Sequence, residues 1–180
     1  KVNLGTTITQ GVISGASKLA TLEVPSEVSV TSMFGGYTSM VPSTLKTINI
    51  TEGSTSVKDN AFAGLGMVEN INLPSSVTTI GDHSFYGCRS LTSINLEGIV
   101  TVGSNAFNGC SKLIDIKFSN KLEYIGDKAF FATLYLNTLD TQEFVVIDGI
   151  LIQYNGNAKN VVLSDNIVAI AGGAFSGNHD

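Results

Sequence analysis

The sequence predicts a single right-handed, β-rich α/β solenoid of 22–23-residue coils, with a parallel sheet on one face, short helical or 3₁₀ turns opposite, and one inserted β-hairpin. Three observations carry that expectation. Four six-residue segments share one apolar pattern: Leu45-Lys-Thr-Ile48-Asn-Ile50, Val68-Glu-Asn-Ile71-Asn-Leu73, Leu91-Thr-Ser-Ile94-Asn-Leu96 and Leu113-Ile-Asp-Ile116-Lys-Phe118. Their starts lie 23, 23 and 22 residues apart. Each is followed by an apolar anchor and, five residues later, a phenylalanine: Val57/Phe62, Ile80/Phe85, Val102/Phe107 and Ile125/Phe130. Finally, two apolar runs, Phe144 to Ile147 and Ile150 to Tyr154, flank Asp148-Gly149, the dipeptide a type I′ hairpin turn prefers.

The elements follow in chain order. Residues 1–44 read as degenerate opening coils: Leu19, Leu22 and Val24 repeat the strand pattern, and Ile8, Ile13 and Leu19 keep the spacing before it. Val30 and Phe34 continue the pattern before Gly35 to Pro42 lengthens the return. Residues 45–133 are the regular coils, 134–158 the hairpin insertion with Asn155-Gly156-Asn157 as a second turn, and 159–180 a final coil with Val161, Leu163, Ile170 and Phe175. Within each strand, period-two alternation turns Ile48, Ile71, Ile94 and Ile116 inward and the residues beside them outward. So short a strand cannot bury its own apolar face, whereas stacked coils share one core. Gly81, Gly103 and Gly126 follow the anchors and suggest tight turns at backbone angles other residues avoid.

Composition narrows the function. With 10 Lys+Arg against 15 Asp+Glu the net charge is −5, which argues against nucleic acid or an acidic membrane surface as partner. Charged residues are only 14% while hydrophobic ones reach 43%, so a packed core lies under a mostly neutral polar surface, as secreted proteins often have. No apolar run approaches the roughly 18 residues that span a bilayer, and Lys1 to Leu4 does not resemble the start of a signal peptide.

The stretch from Val68 to Cys88 has the form Leu-x-x-Ile-x-Leu-Pro-x-x-Val-x-x-Ile-Gly-x-x-x-Phe-x-x-Cys, nearly complete. It resembles the BspA-type, or Treponema-type, leucine-rich repeat of bacterial surface proteins. The segments from Met33 to Thr47 and from Val145 to Leu151 are similar to interruptions found in that family. The resemblance implies the α/β leucine-rich-repeat class, a secreted or bacterial cell-surface location, and adhesion rather than catalysis. The partner it implies is an extracellular protein or matrix component, with a glycan as the alternative.

Candidate chemistry is sparse. Cys88 and Cys110 fall three residues after Phe85 and Phe107 and so occupy equivalent places on adjacent coils. A disulfide or metal pair is one reading; a ladder of buried, inert thiols is the favoured one, since disulfide geometry is demanding and no histidine stands near to complete a zinc site. Asp82-His83-Ser84 holds the residue types of a triad, but neighbours on one turn cannot converge as nucleophile, base and orienter. His179 is close to the end of the sequence. Asp59, Asp82 and Asp127 recur after the anchors, as a solvated acidic row or a weak calcium site. No phosphate-binding, dinucleotide, zinc-protease, serine-hydrolase or EF-hand motif is present. No catalytic, cofactor or metal residue is therefore assigned.

The outward strand positions remain as a binding face. Asn49, Asn70, Asn72, Ser93, Asn95, Asp115 and Lys117 should line it, with Thr47, Thr21 and Glu23 before them and Asn160 and Val162 after. Either these residues contact a ligand or they merely solvate a sheet. Tyr86, Phe131, Tyr135 and Tyr154 are candidate exposed aromatics, Tyr154 on the hairpin foremost.

Overall fold

An apolar–polar–apolar segment of three residues gains little by itself and much from a neighbour at strand spacing. The computed structural model describes residues 2–3, 13, 15–26, 28–34 and 36–177, and there each coil meets that need through the next. Ile8, Gly35 and His179 lie outside the described residues.

The face strands Val2–Asn3, Thr21–Val24, Thr47–Ile50 and Asn70–Asn72 pair in parallel, one after another, and Ser93–Asn95 pairs in parallel with Asp115–Lys117. The register is the one the repeat pattern demands: Ile48 lies opposite Leu22 and Ile71, and Ile94 opposite Ile116. Leu22, Ile48, Ile71 and Ile94 are buried, and Ile116 is half-buried against the same core. The expected single sheet is nonetheless interrupted. The amides of Glu69 and Asn70 donate to the Lys46 carbonyl, and those of Ile114 and Asp115 to that of Thr92, but no such bond joins Thr92 or Ser93 to Glu69.

A second parallel ladder runs along the solenoid, where the sequence marks only anchors. It comprises Ser56–Val57, Thr79–Ile80, Thr101–Val102 and Tyr124–Ile125, with Val57, Ile80, Val102 and Ile125 buried beneath it.

The segments around Phe62, Phe85, Phe107 and Phe130 carry turns rather than the expected helical or 3₁₀ turns, whereas short helical pieces do form beside Phe34, at Val30–Met33 and Thr38–Met40. Asn60, His83, Asn105 and Lys128 have φ between 52 and 58°, a left-handed conformation that stops a helix from propagating. Every second amide there bonds to the next coil instead. Phe62 donates to the Ser84 carbonyl at 2.8 Å, Phe85 to Ala106 at 2.9 Å and Phe107 to Ala129 at 2.7 Å. Head-to-tail amide chains thus run along the axis and satisfy backbone groups that a helix would pair internally.

The glycines after the anchors serve contact, not unusual angles. A Cβ on Gly81 would lie 2.5 Å from Asp59 Oδ1 and 2.7 Å from the Val57 carbonyl oxygen, and one on Gly103 would lie 2.5 Å from Asp82 Oδ1. The coils approach too closely for any side chain. Above them the rings form one column: Phe62–Phe85, Phe85–Phe107 and Phe107–Phe130 have centroids 5.5, 5.1 and 5.4 Å apart and planes within 18° of parallel.

The hairpin forms as expected, with Phe144–Ile147 antiparallel to Ile150–Tyr154 and positive φ at both Asp148 (47°) and Gly149 (78°). It also replaces a coil of the edge ladder, because Ile150–Tyr154 pairs in parallel with Ala169–Ile170. The final coil differs from expectation. Val161 to Leu163 forms no strand, so Asn160 and Val162 do not extend the face. The reason lies 23 residues after Leu113, at Leu136, where a further face strand would open. That position is held by a short helix, Leu134–Asn137, capped by Thr133 Oγ1 accepting the Leu136 amide.

Candidate functional site

Parallel pairing in register brings the outward residues of successive strands side by side. Asn49 faces Asn72 across one ladder, and Ser93 faces Asp115 and Asn95 faces Lys117 across the other. Asn70, Asn72, Ser93, Asn95, Asp115 and Lys117 are exposed, and Asn49 is half-buried. Asn72 Nδ2 donates to Asn49 Oδ1 at 2.7 Å, the amide ladder expected of stacked asparagines. The ladder stops there. Asn95 turns along its own chain, its Oδ1 accepting the Glu97 amide at 2.9 Å and its Nδ2 donating to Glu97 Oε2 at 3.3 Å.

Between these two asparagines lies the interruption in the sheet, a polar slot of about 230 Å³ bounded by Asn70, Ile71, Asn72, Ser93, Ile94 and Asn95. Its floor is the pair of inward isoleucines and its walls are strand edges whose backbone groups do not pair with each other. Beside it, Lys46 Nζ sits 3.0 Å from Glu69 Oε1, while the Glu97 carboxylate bonded to Asn95 brings a negative charge to the other wall, so the slot is amide hydrogen-bonding surface with one acidic side. Sequence reasoning found the row of residues but not the slot. One signal coincides with it: the coil that opens at Leu91 is 22 residues long, where the two before it are 23.

The remaining candidates are placed elsewhere. Tyr154 is not an exposed anchor: it is 3% exposed, packed between Phe144 and Phe175, with its hydroxyl 3.4 Å from Glu143 Oε1. It is the last strand residue of the hairpin and faces inward by alternation, which the sequence leaves undetermined without the register of the insertion. Tyr86 and Phe131 are exposed, while Tyr135 is half-buried against Phe118 and burial pushes its phenol up. Cys88 and Cys110 are free, buried, and donate to the Phe62 and Phe85 carbonyls at 3.3 and 3.1 Å. The Cys88 thiol is held well above the ordinary thiol range by its hydrogen bond with Cys110 and by burial.

The acidic row is bonded into the backbone. Asp59 Oδ1 accepts the Asp82 amide at 2.8 Å, and Asp82 Oδ1 accepts the Ser104 amide at 2.7 Å. Asp82 is thereby committed to the next coil, and Ser84 Oγ is buried without a hydrogen-bond partner, so His83 has no triad around it. Among the described residues, no three His, Cys, Asp or Glu side chains are grouped to hold a metal ion, and no helix is long and apolar enough to cross a membrane.

Comparison with known proteins agrees with this geometry. The family model described as the BspA type leucine rich repeat region, in six copies, matches residues 33–148. A leucine rich cell surface protein from Faecalibacterium prausnitzii A2-165 shares the fold at a TM-score of 0.56 and 16% identity, over 96% of this chain and 64% of that one. The chain therefore spans a little under two thirds of that protein's crystallised length. A leucine-rich repeat protein from Eubacterium ventriosum ATCC 27560 aligns at a TM-score of 0.43 and 20% identity, over 91% of this chain and 44% of that one. No curated protein matches the chain. Repeat spacing, ring column and matched residues lead to one conclusion: the chain belongs to the BspA-type leucine-rich repeat family.

Proposed function

We propose that this chain is a non-catalytic recognition module of a secreted or surface-displayed bacterial protein, meeting an extracellular protein or matrix component through its strand face. Family membership and the cell-surface description of the Faecalibacterium protein support the location. The observation that carries the binding role is the slot between Asn70–Asn72 and Ser93–Asn95, where neighbouring strand edges leave each other unpaired within an amide-lined surface. Polypeptide backbone and amide side chains of a partner complement such a surface, and the contacts are spread over several coils. With Lys46 and Glu69 offsetting one another and Asp115 beside Lys117, Glu97 is the one charge left on the slot, and binding should depend only weakly on salt.

The test presents the chain to a panel of extracellular-matrix proteins and to a glycan array in parallel. Saturable binding to a matrix protein, lost by about tenfold or more in Asn72→Trp with Asn95→Trp, is the expected result. Lys117→Glu should change affinity less than those substitutions, which block the slot outright. Glycan binding without protein binding would replace the partner class. An unchanged affinity in the double variant would remove the strand face from the function.

A further inference from the structure

On the turn side, each regular coil offers the next one three parallel amides. Those of Asn60, Phe62 and Gly64 donate to the carbonyls of Asp82, Ser84 and Tyr86 at 2.9, 2.8 and 2.6 Å, and the Phe85 ring, between the last two acceptors in sequence, stacks on Phe62. The next two interfaces repeat this arrangement around Phe107 and Phe130. After Phe130 it stops. The carbonyls of Asp127, Ala129 and Phe131 accept from Asn105, Phe107 and Gly109, so across trans peptides the amides of Lys128, Phe130 and Ala132 point the other way, toward the following coil. Among the described residues none of these three amides meets an acceptor. Ala174 precedes Phe175 as Ser84 precedes Phe85, but its carbonyl accepts the Tyr154 amide at 2.8 Å instead.

Beside the free donors lies a cavity of about 160 Å³, lined by Lys128, Phe130, Leu136, Tyr154, Gly173 and Ala174 among others, with exposed Phe131 at its edge. None of the face-strand residues lines it. Phe130 carries Phe107 stacked on one face, at 5.4 Å and 3°, while Phe118 lies at 81° to it, so among the described residues no ring is stacked on its other face. A cavity of about 150 Å³ lined by apolar side chains admits one benzene ring. The cavity thus has the size and place of the missing ring, and the free amides stand where its flanking carbonyls would bond. They lie on alternate residues, the spacing at which an extended peptide presents successive carbonyls on one side, and a lone carboxylate is too small to reach two of them. Asp127 Oδ1, buried without a partner and closed over by Gly173, adds a negative charge next to the donors and favours a neutral acceptor.

We propose that this cavity binds a phenylalanine residue of a peptide segment from a partner protein. The ring continues the column on Phe130. The carbonyl of the residue before it accepts from the Phe130 amide and that of the residue after it from the Ala132 amide, as those of Ser84 and Tyr86 accept from Phe62 and Gly64 around Phe85. The site is separate from the strand face and stands whether or not that face binds.

The experiment titrates the full chain with the tripeptide Gly-Phe-Gly blocked at both ends, its blocked Gly-Ala-Gly counterpart, toluene and 3-phenylpropanoate, read by thermal melting and by backbone amide NMR shifts. Saturable binding of the phenylalanine peptide that raises Tm with concentration is expected, with the alanine peptide at least about tenfold weaker for want of the ring and toluene at least about tenfold weaker for want of the carbonyls. The Phe130 and Ala132 amide protons should move downfield on binding, and those of Phe107 and Gly109, already bonded, should move much less. Leu136→Trp, which fills the cavity, should abolish both the binding and the shifts. No saturation by the phenylalanine peptide, equal affinity for toluene or for the alanine peptide, tighter binding of 3-phenylpropanoate, unmoved Phe130 and Ala132 amides, or undiminished binding in a folded Leu136→Trp would overturn the proposal. Should Leu136→Trp fail to fold, the amide shifts and the comparison of ligands on the unaltered chain decide it.

Discussion

In the coils from Val68 to Thr133, Phe85 and Phe107 each have a ring stacked on both sides, and Phe130 is stacked on Phe107. In the last coil, Asn160 to Gly177, Val162 is 88% exposed, Val168 79% and Ile170 52%. Both stretches carry the same apolar spacing. What separates them is a neighbour: each regular coil lies against coils of the same shape, while the last lies against the inserted hairpin, which supplies an edge strand but no face strand. Stability in such an array resides in nearest-neighbour interfaces more than in the coil itself.

The sharpest way to break the comparison is to empty a ring position in each region. Phe107→Ala removes a fully buried ring stacked on both sides and should cost about 3–5 kcal/mol. Phe175→Ala removes a half-buried ring that touches Tyr154 alone among the described aromatics, and should cost about 1 kcal/mol. Urea midpoints measure both, and equal losses would mean that the last coil is packed as well as the others.

The glycines give the next largest contrast. Gly103→Ala forces a Cβ to within 2.5 Å of Asp82 Oδ1 and 2.7 Å of the Asp82 amide nitrogen, and should cost about 1–3 kcal/mol. In the last coil the equivalent position is Ala171, which already carries a Cβ, and at Gly172 beside it a Cβ would meet the Asp127 amide nitrogen at 3.1 Å, which a small shift relieves. Gly172→Ala should therefore be milder by at least about 1 kcal/mol in the same titration.

These contrasts show what the residue pattern could convey. Coil length, the inward isoleucines, the ring column and the I′ hairpin were all legible, since each depends on spacing or local turn chemistry. The outward row from Asn49 to Lys117 was legible for the same reason. The slot beside Asn72 was not, because pairing between Glu69 and Thr92 depends on how two coils approach and no residue type marks that. Gly81, Gly103 and Gly126 were identified for the wrong reason: the left-handed positions are Asn60, His83, Asn105 and Lys128, which sequence alone does not distinguish from ordinary surface residues, together with Gly64, Gly87, Gly109 and Ala132 two residues after each ring. Burial of Tyr154 followed from the register of an insertion that has no second copy to be compared with.

The thiols probe the regular region alone. Cys88 and Cys110 should resist alkylation in the folded protein and both react once it is unfolded, as mass shifts would show. The raised Cys88 value also has a sign. The folded state favours the protonated thiol, so its contribution is complete below the ordinary value of 9.0 and declines as pH rises above it and the unfolded thiol ionises. Stability should thus fall between pH 8 and 10 less steeply in Cys88→Ala than in the parent chain, by about 1 kcal/mol or less. A native disulfide, or equal pH profiles, would contradict this account.

The smallest expected effect is also the most direct comparison of a coil that has its neighbour with one that lacks it. Asp82 Oδ1 accepts the Ser104 amide from the following coil at 2.7 Å, a bond an alanine cannot make. Asp82→Ala leaves that amide without its partner and should cost about 1 kcal/mol, little more because the carboxylate is exposed and water can take its place. Asp127 is the equivalent residue one coil before the insertion, and its Oδ1 is buried with no hydrogen-bond partner. A desolvated, unpaired carboxylate oxygen contributes nothing to folding and costs something, so Asp127→Ala should be neutral or slightly stabilising. Chemical denaturation of the two variants side by side is the measurement. If Asp127→Ala loses as much as Asp82→Ala, the coil before the insertion has a partner for that oxygen, and the break between the two regions is narrower than the exposed valines of the last coil suggest.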